Sequence, residues 1–312
     1  MHFHSRYSDG SLWPAELAAA ARASGLEAAA LTDHDTLAGV PDFLAAARAA
    51  GLRAWAGVEI DCHDGATGYR SELLAYFPGG RYEATESLLG GIRSERRRIV
   101  AELFRGAARY FSRTDLSFER YEQEELDSRP KETRDAHPND IRYGKPDLYR
   151  ALMQKGIIPP RIDYRQFKKA YLSTGLFGLS RFPKPSVEET CATVLADGGF
   201  LSLPHVGHVF DDDYKAMKKN SALLMILLER FKSFGLGYVE LYAYGGKREA
   251  DMNTLVEEAA RLLGLGLSYG SDDHGPGSGK AAIGSFYGQF DGFPSPGSPE
   301  RHDNGAMHGK GG

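Results

Sequence analysis

Histidine and carboxylate side chains recur along this chain where strands should end. His2 and His4 stand two apart at its start, so on a strand both point to one face. Asp9 follows in SDG, and His34 sits in LTDHDT, where an apolar run gives way to a turn. Glu59 closes the apolar run of GVEID, His205 closes FLSLPH, and Asp272 and His274, again two apart, follow LGLSYGS. Imidazole nitrogens and carboxylates together suit zinc, manganese or iron, and a carboxylate such as Glu59 can bridge two ions. Two ions about 3.5–4 Å apart can clamp a phosphoryl group and lower the pKa of a bridging water. That supplies a nucleophile with no side-chain serine or cysteine. No GxSxG elbow or Walker loop competes, since GSDDHGPGSGK does not fit the latter pattern.

Each element alone is weak. An HxH pair is as often a solvated edge, and a lone strand-end Glu or His is more often a hydrogen-bonded core group. Five clusters at the same end of separate strands tip the balance. A purely structural reading needs a partner for every buried polar group, at ~1–3 kcal/mol wherever one fails.

The elements that must carry these residues follow from periodicity. Glu27–Thr32 and Arg53–Ile60 read as strands, and the alanine-rich segments Pro14–Ser24 and Thr36–Ala50 as helices stopped by Gly25 and Gly51. Later, Phe200–Pro204, Tyr238–Tyr242 and Gly266–Gly270 read as strands, and Val187–Ala196, Tyr214–Ser233 and Glu249–Leu263 as helices. Such alternation predicts an α/β fold with a parallel sheet, closed as a βα barrel whose strand ends meet on one rim. The middle differs: Thr85–Arg109 predicts one long helix, and Phe111–Leu179 is polar and irregular apart from a short helix at Pro146–Lys155. We expect a catalytic barrel over 1–83 and 184–292, a mostly helical insertion over 84–183 covering the barrel mouth, and a disordered Gly/Pro/Ser-rich tail over 293–312.

Composition bounds the function. The 312 residues are 42% hydrophobic and 26% charged, ordinary for a globular protein. No apolar run approaches the roughly 18 residues that span a bilayer. The first residues lack the flank and apolar stretch of a secretory signal, so a cytoplasmic location is expected. Net charge is 38 − 42 = −4, which argues against broad electrostatic capture of nucleic acid. The run RSERRR at Arg93–Arg98 is a local candidate for anion binding, with a solvated helix face the preferred reading. Cys62 and Cys191 match no zinc-thiolate spacing and are read as structural.

These motifs resemble the PHP family, the polymerase and histidinol phosphatase superfamily. The likeness lies in HFHSRYSDG, LTDHDT, GVEI, the PH of FLSLPH and GSDDHG, in the family's order, over about residues 1–80 and 185–275. It implies a distorted seven-stranded (β/α)7 barrel around two or three divalent ions (Mn, Zn or Fe). The middle segment is similar to the nucleotide-active branch, which includes nucleoside 3′,5′-bisphosphate phosphatases and a 5′→3′ RNA-trimming enzyme. On this resemblance His2, His4, Glu59 and Asp272 would hold a first metal, Asp9, His34 and His274 a third, and Glu59 with His205 a second. Where relatives carry a histidine opening the next strand, SELLAYF offers Glu72, which alters or weakens the second site. His63 is an alternative donor only if its loop folds back. Relatives also carry an arginine and a histidine two apart at the helix placed at Pro146. Here GKPDLYR offers Lys145 and Asp147, leaving Lys145, Arg142 and His208 as candidates to bind substrate, with Arg150 a further one.

The expected function is metal-dependent hydrolysis of a nucleotide phosphomonoester, such as a nucleoside 3′,5′-bisphosphate, by a metal-activated hydroxide. The alternatives are phosphodiester or 5′→3′ exonuclease cleavage of short RNA or DNA, and a non-catalytic metal-stabilised module that binds a nucleotide or partner. An amidohydrolase ranks last, because no carboxylated-lysine position is recognisable. No membrane or protein partner is expected.

Overall fold

The computed structural model describes residues 1–128, 141–178, 181–246 and 248–294. The described residues build one six-stranded sheet in the order β1 (Ala28–Leu31), β2 (Arg53–Asp61), β3 (Glu72–Phe77), β4 (Phe200–Leu203), β5 (Tyr238–Tyr242) and β6 (Gly266–Gly270). The pairs β1–β2, β4–β5 and β5–β6 are parallel, as the alternating pattern requires. β3 corrects the all-parallel expectation, because it runs antiparallel to both neighbours. The physical reason is the connection. The short turn Cys62–Ser71 carries no helix, whereas a parallel return needs a crossover of a dozen or more residues.

A seventh strand is expected from the sequence, yet the described residues form six. In its place, Phe3 makes a single parallel bridge with Asp273, and its carbonyl accepts from the Thr32 N–H at 3.0 Å. The His4 N–H donates to the Asp273 carbonyl at 2.8 Å before the chain turns at Arg6–Asp9. His2 and His4 are thereby clamped between the ends of β1 and β6.

Period-two alternation decides which side chains face the site. Ala56, Val58 and Ile60 of β2, Leu201 and Leu203 of β4, and Val239 and Leu241 of β5 join the main apolar cluster beneath the helices. Each fully buried aliphatic side chain stabilises the fold by roughly 1.5–3 kcal/mol. The intervening positions Glu59, Ser202, Glu240 and Ser268 are buried on the opposite face, where Ser202 and Ser268 hydrogen-bond at 2.8 Å.

Helices α1 (Pro14–Ala23) and α2 (Val40–Ala49) pack on each other and on β1 and β2. The long helix α3 spans Glu83–Tyr110. Helices Phe118–Asp127 and Lys145–Gln154 follow, and a short helix Tyr164–Phe167 runs into a π-turn at Lys168–Leu172. Among the described residues, 83–178 adds no strand to the sheet, and its apolar side chains from Ile99 to Phe177 form a separate cluster. The helix expected over Tyr214–Ser233 is two, Tyr214–Lys219 and Ser221–Ser233. They break at Asn220, whose side-chain amide donates to the Ala216 carbonyl at 2.8 Å and competes with the helical ladder. Of the tail expected to be disordered from Phe293, residues 295–312 lie outside the described residues. Phe293 itself is packed, stacking on Phe200 with ring centroids 5.1 Å apart.

Candidate metal centre

The ends of five strands and the N-terminal segment deliver their polar side chains to one rim. Glu59 sits at its centre, 1% exposed and two residues from the end of β2. Its Oε2 lies 3.4 Å from His2 Nε2, 3.2 Å from His4 Nε2 and 3.1 Å from His34 Nδ1, and its Oε1 lies 3.0 Å from His205 Nε2. Asp272 Oδ1 lies 3.0 Å from His4 Nε2 and 3.4 Å from His2 Nε2. Asp9 faces His274 Nε2 at 3.3 Å and His34 Nε2 at 3.8 Å.

Among the described residues four groups can be drawn, each with donor atoms within 4.8 Å of one another: His2, His4, Glu59 and Asp272; His4, Asp9, His34 and His274; Glu59, Glu72 and His205; and His205, His208 and Asp272. The structure therefore brings together all nine residues that the sequence nominates as metal ligands. Glu72 reaches the rim because β3 is reversed. Its first residue pairs with Asp61, the last of β2, so the start of one strand meets the end of the other. His63 turns away, its ring nitrogen 3.0 Å from the Pro185 carbonyl.

Local backbone holds these side chains in uncommon conformations. His205 and Asp272 have φ of 29° and 50°, and Asp35, beside His34, has 49°. Left-handed conformations of non-glycine residues cost energy and persist where surrounding bonds over-determine them. Asp33 supplies such bonds, accepting from the Ser5 N–H and hydroxyl, both at 2.6 Å, and from the Ser8 hydroxyl at 2.7 Å. That fixes the loop between His4 and Asp9. Glu240 supplies others, accepting from His2 Nδ1 at 3.0 Å and from the His205 N–H at 3.0 Å. Gly270 makes room for it, since a Cβ there would fall 1.9 Å from Glu240 Oε1.

The donor set fits divalent cations on its own electrostatics. With Nδ1–H of His2 given to Glu240, its Nε2 presents a lone pair toward the acceptor oxygens of Glu59 and Asp272. His34 Nδ1 and Glu59 Oε2 are buried and have no hydrogen-bond partner. Burial opposes charge on His2 and His4. The carboxylates of Glu240, Glu59 and Asp272 override it, raising His2 to about 10, while Asp272 and Glu59 raise His4 well above its usual value. Burial likewise opposes charge on Glu59 and Asp9. The imidazoles of His34 and His2 hold Glu59 well below its usual range, and those of His34, His274 and His4 do the same for Asp9. A cation among these oxygens and nitrogens satisfies the same lone pairs with the imidazoles neutral. Glu72 is the exception, pushed up to about 7 by burial and by the nearby Glu59 carboxylate.

Nine residues, Asp9, His34, Glu59, Glu72, His205, His208, Asp272, His274 and Lys280, line a cavity of about 290 Å³ over this cluster. His208 stacks on His205 with centroids 4.4 Å apart and is held by Asp212 at 2.7 Å. A larger cavity of about 460 Å³ lies by the starts of β1 and β2, between Met1, Phe3 and Phe286–Asp291, and none of the nine candidate ligands lines it.

Beside the cluster lies a cationic group that the sequence reading resolves only in part. Arg142 bonds Asp35 and Asp61, both at 3.1 Å; Arg96 and Lys184 bond Asp61, each also at 3.1 Å. The run RSERRR thus divides, which corrects the solvated-face expectation. Arg93 and Arg96, one helical turn apart, are buried toward the rim, where Arg93 donates to the Asp35 carbonyl at 3.0 Å. Arg97 and Arg98 face solvent in pairs with Glu122, Glu95 and Glu102. Lys145 is half-buried over the Phe182 ring at 5.7 Å and has no carboxylate partner among the described residues. Asp147 is turned inward, accepting from the Gly144 N–H at 2.6 Å, the Tyr121 hydroxyl at 2.9 Å and Arg150 at 2.6 Å. It therefore caps its helix, and it occupies Arg150.

Sequence reasoning misses Glu240, Asp33, Lys184 and Lys280. A signal existed for Glu240, a lone carboxylate in the apolar strand YVELY. Lys280 lies on a glycine-rich loop, where no periodicity marks a side chain.

The PHP domain family profile matches residues 1–126. A 3′,5′-nucleoside bisphosphate phosphatase of Chromobacterium violaceum is 29% identical over 301 residues, spanning 91% of this chain and 90% of the relative. Two solved structures share the fold. One, described as a metal-dependent phosphoesterase of Bifidobacterium adolescentis, has a TM-score of 0.67 at 23% identity, covering 90% of this chain and 89% of its own. The other, described as an amidohydrolase of Chromobacterium violaceum, has a TM-score of 0.65 at 24% identity, covering 88% and 87%.

Proposed function

We propose that this chain is a PHP-family metal-dependent phosphoesterase that removes one phosphate from a nucleotide, with a nucleoside 3′,5′-bisphosphate as the preferred class. His2, His4, Glu59 and Asp272 would hold one ion, His205 with Glu59 and Glu72 a second, and Asp9, His34 and His274 a third. Manganese, zinc and iron all suit this mixture of imidazole and carboxylate. When bound, such ions lower the pKa of water and neutralise the phosphoryl oxygens.

The protein's own groups then orient and select. Glu240 fixes the ring of His2, Asp33 fixes the approach of His4 and Asp9, and no serine or cysteine is called on as nucleophile. The observation that carries the bisphosphate reading is the cationic group beside the cluster. Among the described residues, Arg96, Arg142 and Lys184 meet two carboxylates, Asp35 and Asp61, and Lys145 adds an ammonium with no acidic partner. A second phosphate, held outside the metal cluster, finds complementary charge there. Tyr164, half-buried with Lys168 over its ring at 4.9 Å, offers a face on which a base can stack. On this reading 84–183 is an insertion over the barrel mouth and the protein works in the cytoplasm. No helix among the described residues is long and apolar enough to cross a membrane.

Phosphate release from metal-loaded protein tests the proposal, comparing 3′,5′-bisphosphorylated nucleosides, nucleoside 5′-monophosphates and short 5′-phosphorylated oligonucleotides. The bisphosphate should give the highest kcat/KM. Preference for oligonucleotides would replace this reading with exonucleolytic cleavage.

A further inference from the structure

The residues lining the cavity over the metal cluster include four carboxylates, Asp9, Glu59, Glu72 and Asp272, and one permanently cationic side chain, Lys280. Its ammonium donates to Asp272 Oδ2 at 2.5 Å. The two oxygens of Asp272 are therefore divided. Oδ1 faces His2, His4 and His274, while Oδ2 faces Lys280 and, at 3.4 Å, the Tyr242 hydroxyl. Lys280 thus reaches the rim of the ligand cluster without displacing an imidazole from it, and its side chain remains 36% exposed on the cavity side.

The loop that carries it is tied at both ends. Ser11 N–H donates to the His274 carbonyl at 2.9 Å, and Gly275 passes so close that a Cβ there would lie 2.1 Å from Ser11 Oγ. At the far end the Ser24 hydroxyl donates to the Ile283 carbonyl at 3.4 Å. Between these ties Gly275, Gly277 and Gly279 all take positive φ, so the backbone folds tightly and presents Lys280 inward. A surface lysine needs no such anchorage.

We propose that Lys280 binds a non-bridging oxygen of the scissile phosphoryl group, exchanging its hydrogen bond to Asp272 Oδ2 for one to the substrate. The inference rests on the phosphoesterase reading and names a contact within it. A dianionic phosphate entering this cavity meets carboxylates on several sides. Ions held at the cluster would offset them, and Lys280 adds a positive charge fixed by the protein whose interaction strengthens as charge develops on the phosphoryl oxygens. A flexible ammonium stem suits this exchange better than a rigid fork.

The test compares wild type, Lys280→Met and Lys280→Arg, each loaded with manganese, by titration with inorganic phosphate, by elemental analysis and by kcat/KM on a phosphomonoester. Lys280→Met should weaken phosphate binding at least about tenfold and lower kcat/KM by about 10²-fold with unchanged metal content, and Lys280→Arg should recover part of both. Unchanged phosphate affinity in Lys280→Met would overturn the proposal. So would a parallel loss of metal, which would place the role of Lys280 in the alignment of Asp272. Should wild type hydrolyse no ester at all, the functional reading fails, whereas the phosphate titration still decides the role of Lys280.

Discussion

Glu240 Oε1 lies 3.0 Å from His2 Nδ1 although 238 residues separate the two, and both side chains are fully buried. The same carboxylate takes the backbone N–H of His205. One acid therefore holds the ring of His2 and the backbone of His205, residues of two different candidate ligand groups. Glu240→Gln keeps the shape but loses the charge that favours Nδ1–H on His2. Its metal affinity should fall about 10–100-fold. Elemental analysis after a graded chelator challenge reads this directly, and metal retention equal to wild type would refute it.

Removing a proposed ligand itself should be more severe. His34→Ala and Asp272→Ala should each lower turnover by about 10³-fold or more while the circular dichroism spectrum stays that of a folded chain. The two residues stand in different groups, so each variant should lose metal to a different extent. Wild-type turnover in both would remove the site assignment.

Glu72 stands where the family resemblance leads one to expect a histidine. A carboxylate is a harder ligand than imidazole and favours harder ions. Glu72→His should change the bound-metal ratio after growth with mixed manganese and zinc, toward zinc. An unaltered ratio and stoichiometry would show that residue 72 ligates nothing.

Away from the centre, Asp64 accepts two hydrogen bonds from Arg230, both at 2.9 Å, and two more from Thr67. The Arg230 guanidinium lowers the Asp64 carboxyl from the usual 3.8 to about 2. A depressed carboxyl stabilises the fold above its unfolded pKa, and that contribution disappears as pH falls through the folded value. Because the Arg230 side chain is 37% exposed, solvent screening limits the effect to about 1 kcal/mol. Asp64→Asn should be less stable than wild type by that amount near neutral pH, and the gap should close between about pH 4 and pH 2. Urea unfolding across this range measures it, and a gap independent of pH would exclude the ion pair as its source.

Much of the centre is legible in the chain because strand-end positions leave a local mark. An apolar run that stops at His34, Glu59 or His205 shows both the strand and the polar group at its tip. The segment 83–178 is less legible. Its helices pack on one another through Phe104, Phe118, Leu148 and Phe167, and no repeating strand pattern announces which residues turn toward the sheet. Arg96 and Arg98 look alike in RSERRR, yet one is buried against Asp61 and the other lies in solvent.

By itself the sequence determined the types of candidate ligand, their order and the alternation that sets Glu59 and Glu240 on the face opposite the core, because these depend on contacts within a few residues. Tertiary structure alone decided that β3 is reversed, that Glu72 consequently meets Glu59, that Glu240 supports His2, and that Lys280 reaches Asp272. Each of these is a meeting of segments distant in the chain. Its geometry is fixed by how the sheet curls and where loops are tied, and no local spacing encodes it.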